Sequence, residues 1–290
     1  MLASAEAHYV RQQRITAAAL TAARRARFGS LDRLVAVVAA GQVLAARDSA
    51  ASVPLMLAEQ GIETDVAGVV SARALAGSAS DGRGLRGLLD FTRDPRVTDY
   101  LFGLIVSTQL QDAARGAASV AIAARPKVTG YVRMLNPPSC SRCAVLAGRR
   151  YRWNAGFERH PKCDCRHVPA SEDTAGDLTT NPHAYFESLS KAEQDSAFTK
   201  AGAQAIRDGA DAGQVVNARR GMETAQRGRL TRTKAFGQDL YVTSEGMTKR
   251  GTAYAARGGK KVRLMPESIY ELAEDRADAI RLLKAHGYIT

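Results

Sequence analysis

Four cysteines and two histidines crowd one short stretch of this chain. Cys140-Ser-Arg-Cys143 is followed, 19 residues later, by Cys163-Asp-Cys165, with His160 three residues before Cys163 and His167 two after Cys165. A C-x2-C turn aims two thiolates at one point. A second pair returning across a hairpin closes a tetrahedral Zn²⁺ site. The second pair here is C-x-C, whose side chains in a regular strand face opposite sides, so both reach one metal only where the backbone bends. Two ligand sets follow. One is Cys140, Cys143, Cys163 and Cys165. The other takes His160 in place of Cys165, because His160-Pro-Lys-Cys163 itself has x2 spacing. Either is a structural zinc site, since four protein ligands leave no position for water. Four metal-free thiols, or two disulfides formed in an oxidising medium, are the alternatives.

Enzymatic chemistry has weaker signals. The histidines are His8, His160, His167, His183 and His286. A protease needs a nucleophile, a base and an orienting group, and no G-x-S-x-G is present. His286 falls in the last turn of a helix, where a cation suits the dipole. His183 follows Asn181-Pro182 and decorates a turn. Serines are numerous enough that a Ser–His pair stays open. His160, Asn154 and His167 lack the order and spacing of a His-Asn-His nuclease.

The charge is informative. Lys+Arg 41 against Asp+Glu 29 gives a formal net charge of +12. Such a surplus favours an acidic partner: nucleic acid, a membrane surface or an acidic protein face. Residues 219–263 hold 12 Lys or Arg and 3 Asp or Glu, and residues 140–166 hold 7 and 2. Basic stretches of this kind bind phosphates without reading sequence. The contact candidates are Arg149, Arg150 and Arg152, and, in the Gly-rich segment, Arg227, Arg229, Arg232, Lys249, Arg250, Lys260 and Lys261. Tyr151 and Trp153 interleave with Arg150 and Arg152. That suits stacking on bases, but their period of two places them on the apolar face of a hairpin.

The elements that must position these residues read as follows. Hydrophobic residues are 45% of the 290 and aromatics 6%. Alanine is abundant, so the core is expected to be helical and packed through small side chains. Apolar residues recur at three and four over Leu31–Val38 and Val97–Ile105. Ser30 caps the first helix, and Asp94-Pro95 starts the second. A short helix over 53–60 ends at Gly61, and Arg125-Pro126 ends the long one. Residues 127–134 alternate as a strand, with further strands over 149–153 and 165–168. Residues 171–182 form a polar linker. Ser190 and Glu193 make a capping box for a helix running to Asp208, followed by one over 212–224. Residues 225–263 are read as a loosely packed basic arm with a strand at 240–243. Pro266 opens a last helix ending near Ala285. No stretch reaches the ~20 apolar residues of a membrane span, and Met1–Ala7 lacks a signal-peptide pattern. These features predict a chain made and folded in a cytosol, where cysteines serve as thiols or metal ligands.

The run Cys140-Ser-Arg-Cys143-Ala-Val-Leu-Ala-Gly148-Arg149, then His160-Pro161-Lys-Cys163-Asp-Cys165, resembles the signature of the phage Mu F-like minor capsid, or head morphogenesis, family. The likeness, closest to the actinobacteriophage type, covers about 30 of the 290 residues. It implies a low-copy structural protein of the phage head. Such a protein meets portal and capsid proteins, supports head assembly or DNA delivery, and resides in the virion after synthesis in the host cytoplasm. Genes of this type are often named capsid maturation protease, which keeps a prohead protease as the alternative.

The expected fold is mainly α, with helical N- and C-terminal parts flanking a small zinc-stapled β hairpin. Four segments are expected: helical 1–124, the Cys/His element 125–170, a linker and helical segment 171–224, and a basic arm with a C-terminal helix 225–290. Zinc is the expected cofactor and non-specific DNA contact a possible partner interaction. No membrane and no small-molecule substrate are expected, and no catalytic residue is assigned. A zinc regulator of transcription is disfavoured, because nothing resembling a recognition helix follows the cysteines.

Overall fold

The computed structural model describes residues 2–79, 81–135, 137–156, 165–170, 181–219, 232–235, 237–243, 245 and 263–289. The chain is mainly helical with small antiparallel sheets. It divides into two compact units, Met1–Pro138 with Leu146–Asn181, and Ser139–Val145 with Pro182–Thr290.

The first unit is built on helices α1 (Ala3–Ala26), α2 (Leu31–Glu59), α3 (Leu85–Phe91) and α4 (Asp99–Ala123). Leu34, Val38, Ala45, Phe102, Val106 and Leu110 form one continuous core with Ala23 and Ala26. Small residues let the helices approach closely. A Cβ on Gly41 of α2 would lie 2.9 Å from Ala19 Cβ and 3.2 Å from a Leu110 methyl, so α1, α2 and α4 meet there. Arg27, almost fully buried, closes the far end by donating to Thr92 O at 2.8 Å and to Val97 O.

Ser30 caps α2 as expected. The short helix expected at 53–60 is instead the last part of α2, which runs through Pro54. Proline removes one hydrogen bond, but burial of Val53, Met56 and Leu57 carries the helix on to Glu59. Gly61, at φ 70°, then turns the chain away. Asp94-Pro95 does not start α4. Asp94 Oδ1 accepts from Arg96 N at 2.9 Å, closing a turn, and Thr98 caps the helix. By length and composition α2 would pass for a membrane span. The sequence reading missed it because Arg47 and Asp48 interrupt the apolar run. Its buried face packs on α1 and α4, as in the core helix of a folded unit.

Three strands follow: β1 (Gly130–Met134), β2 (Arg150–Arg152) and β3 (Arg166–Ala170), antiparallel in the order β2-β1-β3. Tyr131 pairs with Tyr151 on one side and Pro169 on the other. The C-terminal halves of α2 and α4 hold the sheet, with Val53, Leu57, Ala121 and Ile122 packed on Val128 and Tyr131. Gln60 Nε2 bonds Pro169 O at 2.8 Å, tying α2 to β3.

The second unit holds α5 (Ser141–Ala144), α6 (Pro182–Ser188), α7 (Lys191–Phe198), α8 (Lys200–Arg207) and α9 (Ala212–Ala218). A small sheet, β4 (Arg232–Ala235), β5 (Gln238–Thr243) and β6 (Arg263–Leu264), precedes α10 (Pro266–Leu272) and α11 (Arg276–Ala285). The Ser190–Glu193 capping box forms. The single helix expected to Asp208 breaks at Thr199, whose φ of 67° is unusual for a side-chain-bearing residue. Its hydroxyl caps α8 and accepts from Arg219 at 2.8 Å. The last helix is also two, because Asp275 caps a fresh start by accepting from Asp278 N. The second expected helix, over 212–224, is seen as α9 up to Ala218; residues 220–224 lie outside the described residues.

Most of the segment read as a loose arm lies outside the described residues, but β4 and β5 pair antiparallel and pack. Ala235, Leu240, Leu264 and Met265 are buried with Ile269, Leu283 and Tyr288. The apolar partners lie on helices remote in sequence, so local composition hid them. Arg263, counted with the basic arm, is interior. It stacks 3.6 Å over Tyr288 and donates to His286 O and Gly287 O. His286 is not a helix-end cation. Burial and the neighbouring Arg263 push its pKa down to about 4, and Nδ1 accepts from Leu264 N at 3.3 Å.

Gly41→Val adds atoms where none fit and should destabilise the first unit by about 1–3 kcal/mol. Gly87→Ala, with open space at its Cβ, should instead stabilise by about 0.5–1 kcal/mol. Denaturant unfolding followed by circular dichroism checks both signs.

Candidate functional site

The chain turns into β2 at Gly148, whose φ of 71° suits glycine. Gly148 N donates to Arg133 O at 2.9 Å, and Arg133 N to Arg149 O at 3.0 Å. This Gly-Arg step, part of the motif, therefore registers β2 on β1. The strands then come unusually close. A Cβ on Gly130 would lie 2.3 Å from Tyr151 O. Tyr131 stacks on Tyr151 at 5.5 Å and on His167 at 4.2 Å, making an aromatic ladder across all three strands. Burial pushes the Tyr131 hydroxyl up to about 12, so it stays a donor and bonds Ala155 O.

Tyr151 thus joins the hairpin as expected, while Trp153 does not. Trp153 is 48% exposed, and its backbone N–H is fixed to Thr129 O at 3.1 Å. Arg149, Arg150 and Arg152 are exposed beside it. A shallow groove of about 500 Å³ is lined by Pro126, Thr129, Arg150, Tyr151, Arg152 and Trp153, and Arg150 donates to Thr129 Oγ1 across its floor.

The cysteines fall in different places. Cys140 is the exposed N-cap of α5 and Cys143 is buried in its first turn, both in the second unit. Two thiols at the start of one helical turn are a donor set that fits half of a zinc site. Tyr185 of α6 fixes this segment. Ser139 N donates to its hydroxyl at 2.7 Å, and the hydroxyl donates to Ser139 O at 3.0 Å. Cys165 is buried next to β3 in the first unit. His160 and Cys163 lie outside the described residues. Among the described residues no group of three or more His, Cys, Asp or Glu could hold a metal.

A cavity of about 380 Å³ in the first unit is lined by Gln42, Ser78, Asp112, Arg115, Ser119 and His167, among others. Ser119 Oγ lies 3.3 Å from His167 Nδ1. Asp112, the acid lining this cavity, forms a buried ion pair with Arg115 at 2.8 Å. Elsewhere in the unit, His8 meets Asp48 at 2.6 Å and Ser52 at 3.0 Å, with Arg11 and Gln12 also on Asp48. Burial opposes the Asp48 charge, yet the hydrogen bonds from His8, Arg11 and Gln12 hold its pKa at about 2. Burial in turn keeps His8 below its ordinary value. His8 is 4% exposed, so this cluster joins α1 to α2 rather than facing solvent.

Of the basic candidates in the second unit, Arg232 donates to Glu271 at 2.8 Å and lies 4.8 Å over the Tyr241 ring. Arg227, Arg229, Lys249, Arg250, Lys260 and Lys261 lie outside the described residues. His183 sits within α6, 3.3 Å from Glu187. Sequence reasoning passed over Tyr185, Gly130 and Thr129. A glycine within an alternating strand is a signal for close backbone approach, and that alone could have found one of them.

No protein-family model matches the chain, and no curated protein or solved structure matches it.

Proposed function

We propose that this chain is a structural minor head protein of a tailed phage, of the Mu F-like kind, docking at the portal or inner capsid and supporting head assembly or DNA delivery. The observation that carries the reading is the run from Cys140 to Cys165, with its C-x2-C, Gly-Arg and H-P-x-C-x-C steps in fixed order. Its setting supports the reading: helical segments flank it on both sides, and the Gly148-Arg149 step has a defined task in turning the chain into β2. The exposed arginines on β2 add a surface for packaged DNA, bound by charge and not by sequence.

Zinc is part of the proposal. Cys140 and Cys143 supply one pair of ligands. The spacing assigns the second pair to Cys163 with either Cys165 or His160, and the metal's contribution is to staple the segment rather than to do chemistry.

A capsid maturation protease is the second reading, favoured by one observation, the Ser119–His167 contact inside a cavity. Against it, no G-x-S-x-G surrounds Ser119, and the acid lining the same cavity, Asp112, is ion-paired with Arg115.

Metal analysis of protein purified without chelator should find about one zinc per chain, and Cys140→Ser with Cys143→Ser should remove it. A stable, metal-free wild-type protein would contradict the zinc assignment. Quantitative mass spectrometry of purified DNA-filled heads should detect the chain at a few copies per particle. Heads that lack it would overturn the structural role.

A further inference from the structure

We propose that the β2 edge is a binding subsite for single-stranded nucleic acid, with one base stacked on Trp153 and the flanking phosphates held by Arg149, Arg150 and Arg152. The proposal deepens the polyanion contact suggested for these arginines and does not depend on the phage-head role.

Four observations converge on this edge. First, Trp153 is large, apolar and 48% exposed, one of four exposed aromatics among the described residues with Phe28, Phe91 and Tyr100, and of these it is the one that lines a groove with arginines. Its neighbour Tyr151 enters the stacked ladder with Tyr131, so the sequence offers two aromatics and the fold withholds one. Second, the ring is presented from a fixed backbone. Trp153 N bonds Thr129 O, Ala155 N bonds Arg152 O, and the Tyr131 hydroxyl bonds Ala155 O. With the backbone fixed on both sides of the ring, binding a flat ligand there need not order the chain first.

Third, the electrostatics are one-sided. Every charged residue from Arg125 to Gly156 is basic, and Arg149, Arg150 and Arg152 are exposed on the same short edge as the tryptophan. Fourth, the surface is concave there, a groove of about 500 Å³ whose floor is Pro126, Thr129 and Tyr151. An aromatic face rimmed by arginines suits unstacked bases joined by phosphates. Duplex DNA keeps its base faces covered and offers only the phosphates. A run of carboxylates offers charge alone, with no planar group to cover the indole.

Trp153 is the only tryptophan in the chain, so its fluorescence reports this site alone. The full-length protein is titrated at low salt with a dT20 oligonucleotide, an rU20 oligonucleotide, a 20-base-pair duplex and polyglutamate. Labelled oligonucleotide anisotropy is followed in parallel. The expected result is saturable quenching by the single strands, none by polyglutamate, and loss of binding as salt rises. Preference between dT20 and rU20 tells which sugar the site accepts. Trp153→Ala should raise the anisotropy-measured Kd about ten-fold, with Trp153→Phe recovering part of it. Arg150→Gln with Arg152→Gln should weaken binding and flatten its salt dependence.

Equal quenching by polyglutamate would mean a charge-only site for an acidic protein and would overturn the stacking proposal. Oligonucleotide binding that leaves Trp153 fluorescence and the Trp153→Ala Kd unchanged would also overturn it, while leaving a polyanion contact elsewhere on the chain. Absence of binding to any of the four polyanions at low salt would remove both.

Discussion

The close approach of three helices at Gly41 is the constraint on which the first unit depends. With no side chain there, α2 lies against Ala19 of α1 and Leu110 of α4 at once. Alanines at 45, 114, 117 and 121 continue the same close contact along α2 and α4. Because these two helices run side by side, their C-terminal halves form a narrow seat. Val128 and Tyr131 fill it, which fixes β1, and β1 fixes β2 and β3 through its two sets of hydrogen bonds. The exposed edge with Trp153 is the last link in that chain. A core of small residues has little area per side chain to bury, so its stability rests on contact density rather than on large hydrophobes.

Two buried polar clusters tie elements of these cores together. Asp48 collects His8, Arg11 and Gln12 between α1 and α2. Arg263 gathers the last turn of the second unit by donating to two consecutive carbonyls and stacking on Tyr288. Removing one member of such a group would leave its partner buried and unpaired, which costs more than the intact contact contributes. In a chain with few aromatics, these networks give the helices and the C-terminal turn a single register.

What the sequence made legible was local. The period of three and four exposed α2 and α4, Ser30 and the Ser190–Glu193 pair marked helix starts, and the switch to period two found all three strands of the first sheet. What it hid depends on distant partners. Residues 53–60 read as a separate short helix because the burial that carries α2 through Pro54 comes from other elements. Strands β4 and β5 read as part of a loose arm because Ile269, Leu283 and Tyr288, which pack with Ala235 and Leu240, lie on or beyond the last two helices. His286 read as a surface cation because nothing nearby in sequence reveals that Arg263 sits against it. For the site, composition found the arginines and aromatics of β2. Only the register, Tyr131 opposite Tyr151, shows which aromatic is consumed by the sheet and which is left outside.

In the proposed function a cysteine motif, a helical unit and a basic sheet edge together make a part that binds and holds. The Ser119–His167 contact, which lines a cavity, points the other way, so the two roles separate on a single measurement. The major capsid protein and its scaffold are co-expressed alone, with this chain, and with its Ser119→Ala variant, and the mass of the capsid protein is read by intact mass spectrometry. The account predicts the same capsid-protein mass in all three. A shortened capsid protein that appears only with the wild-type chain and is lost with Ser119→Ala would contradict it.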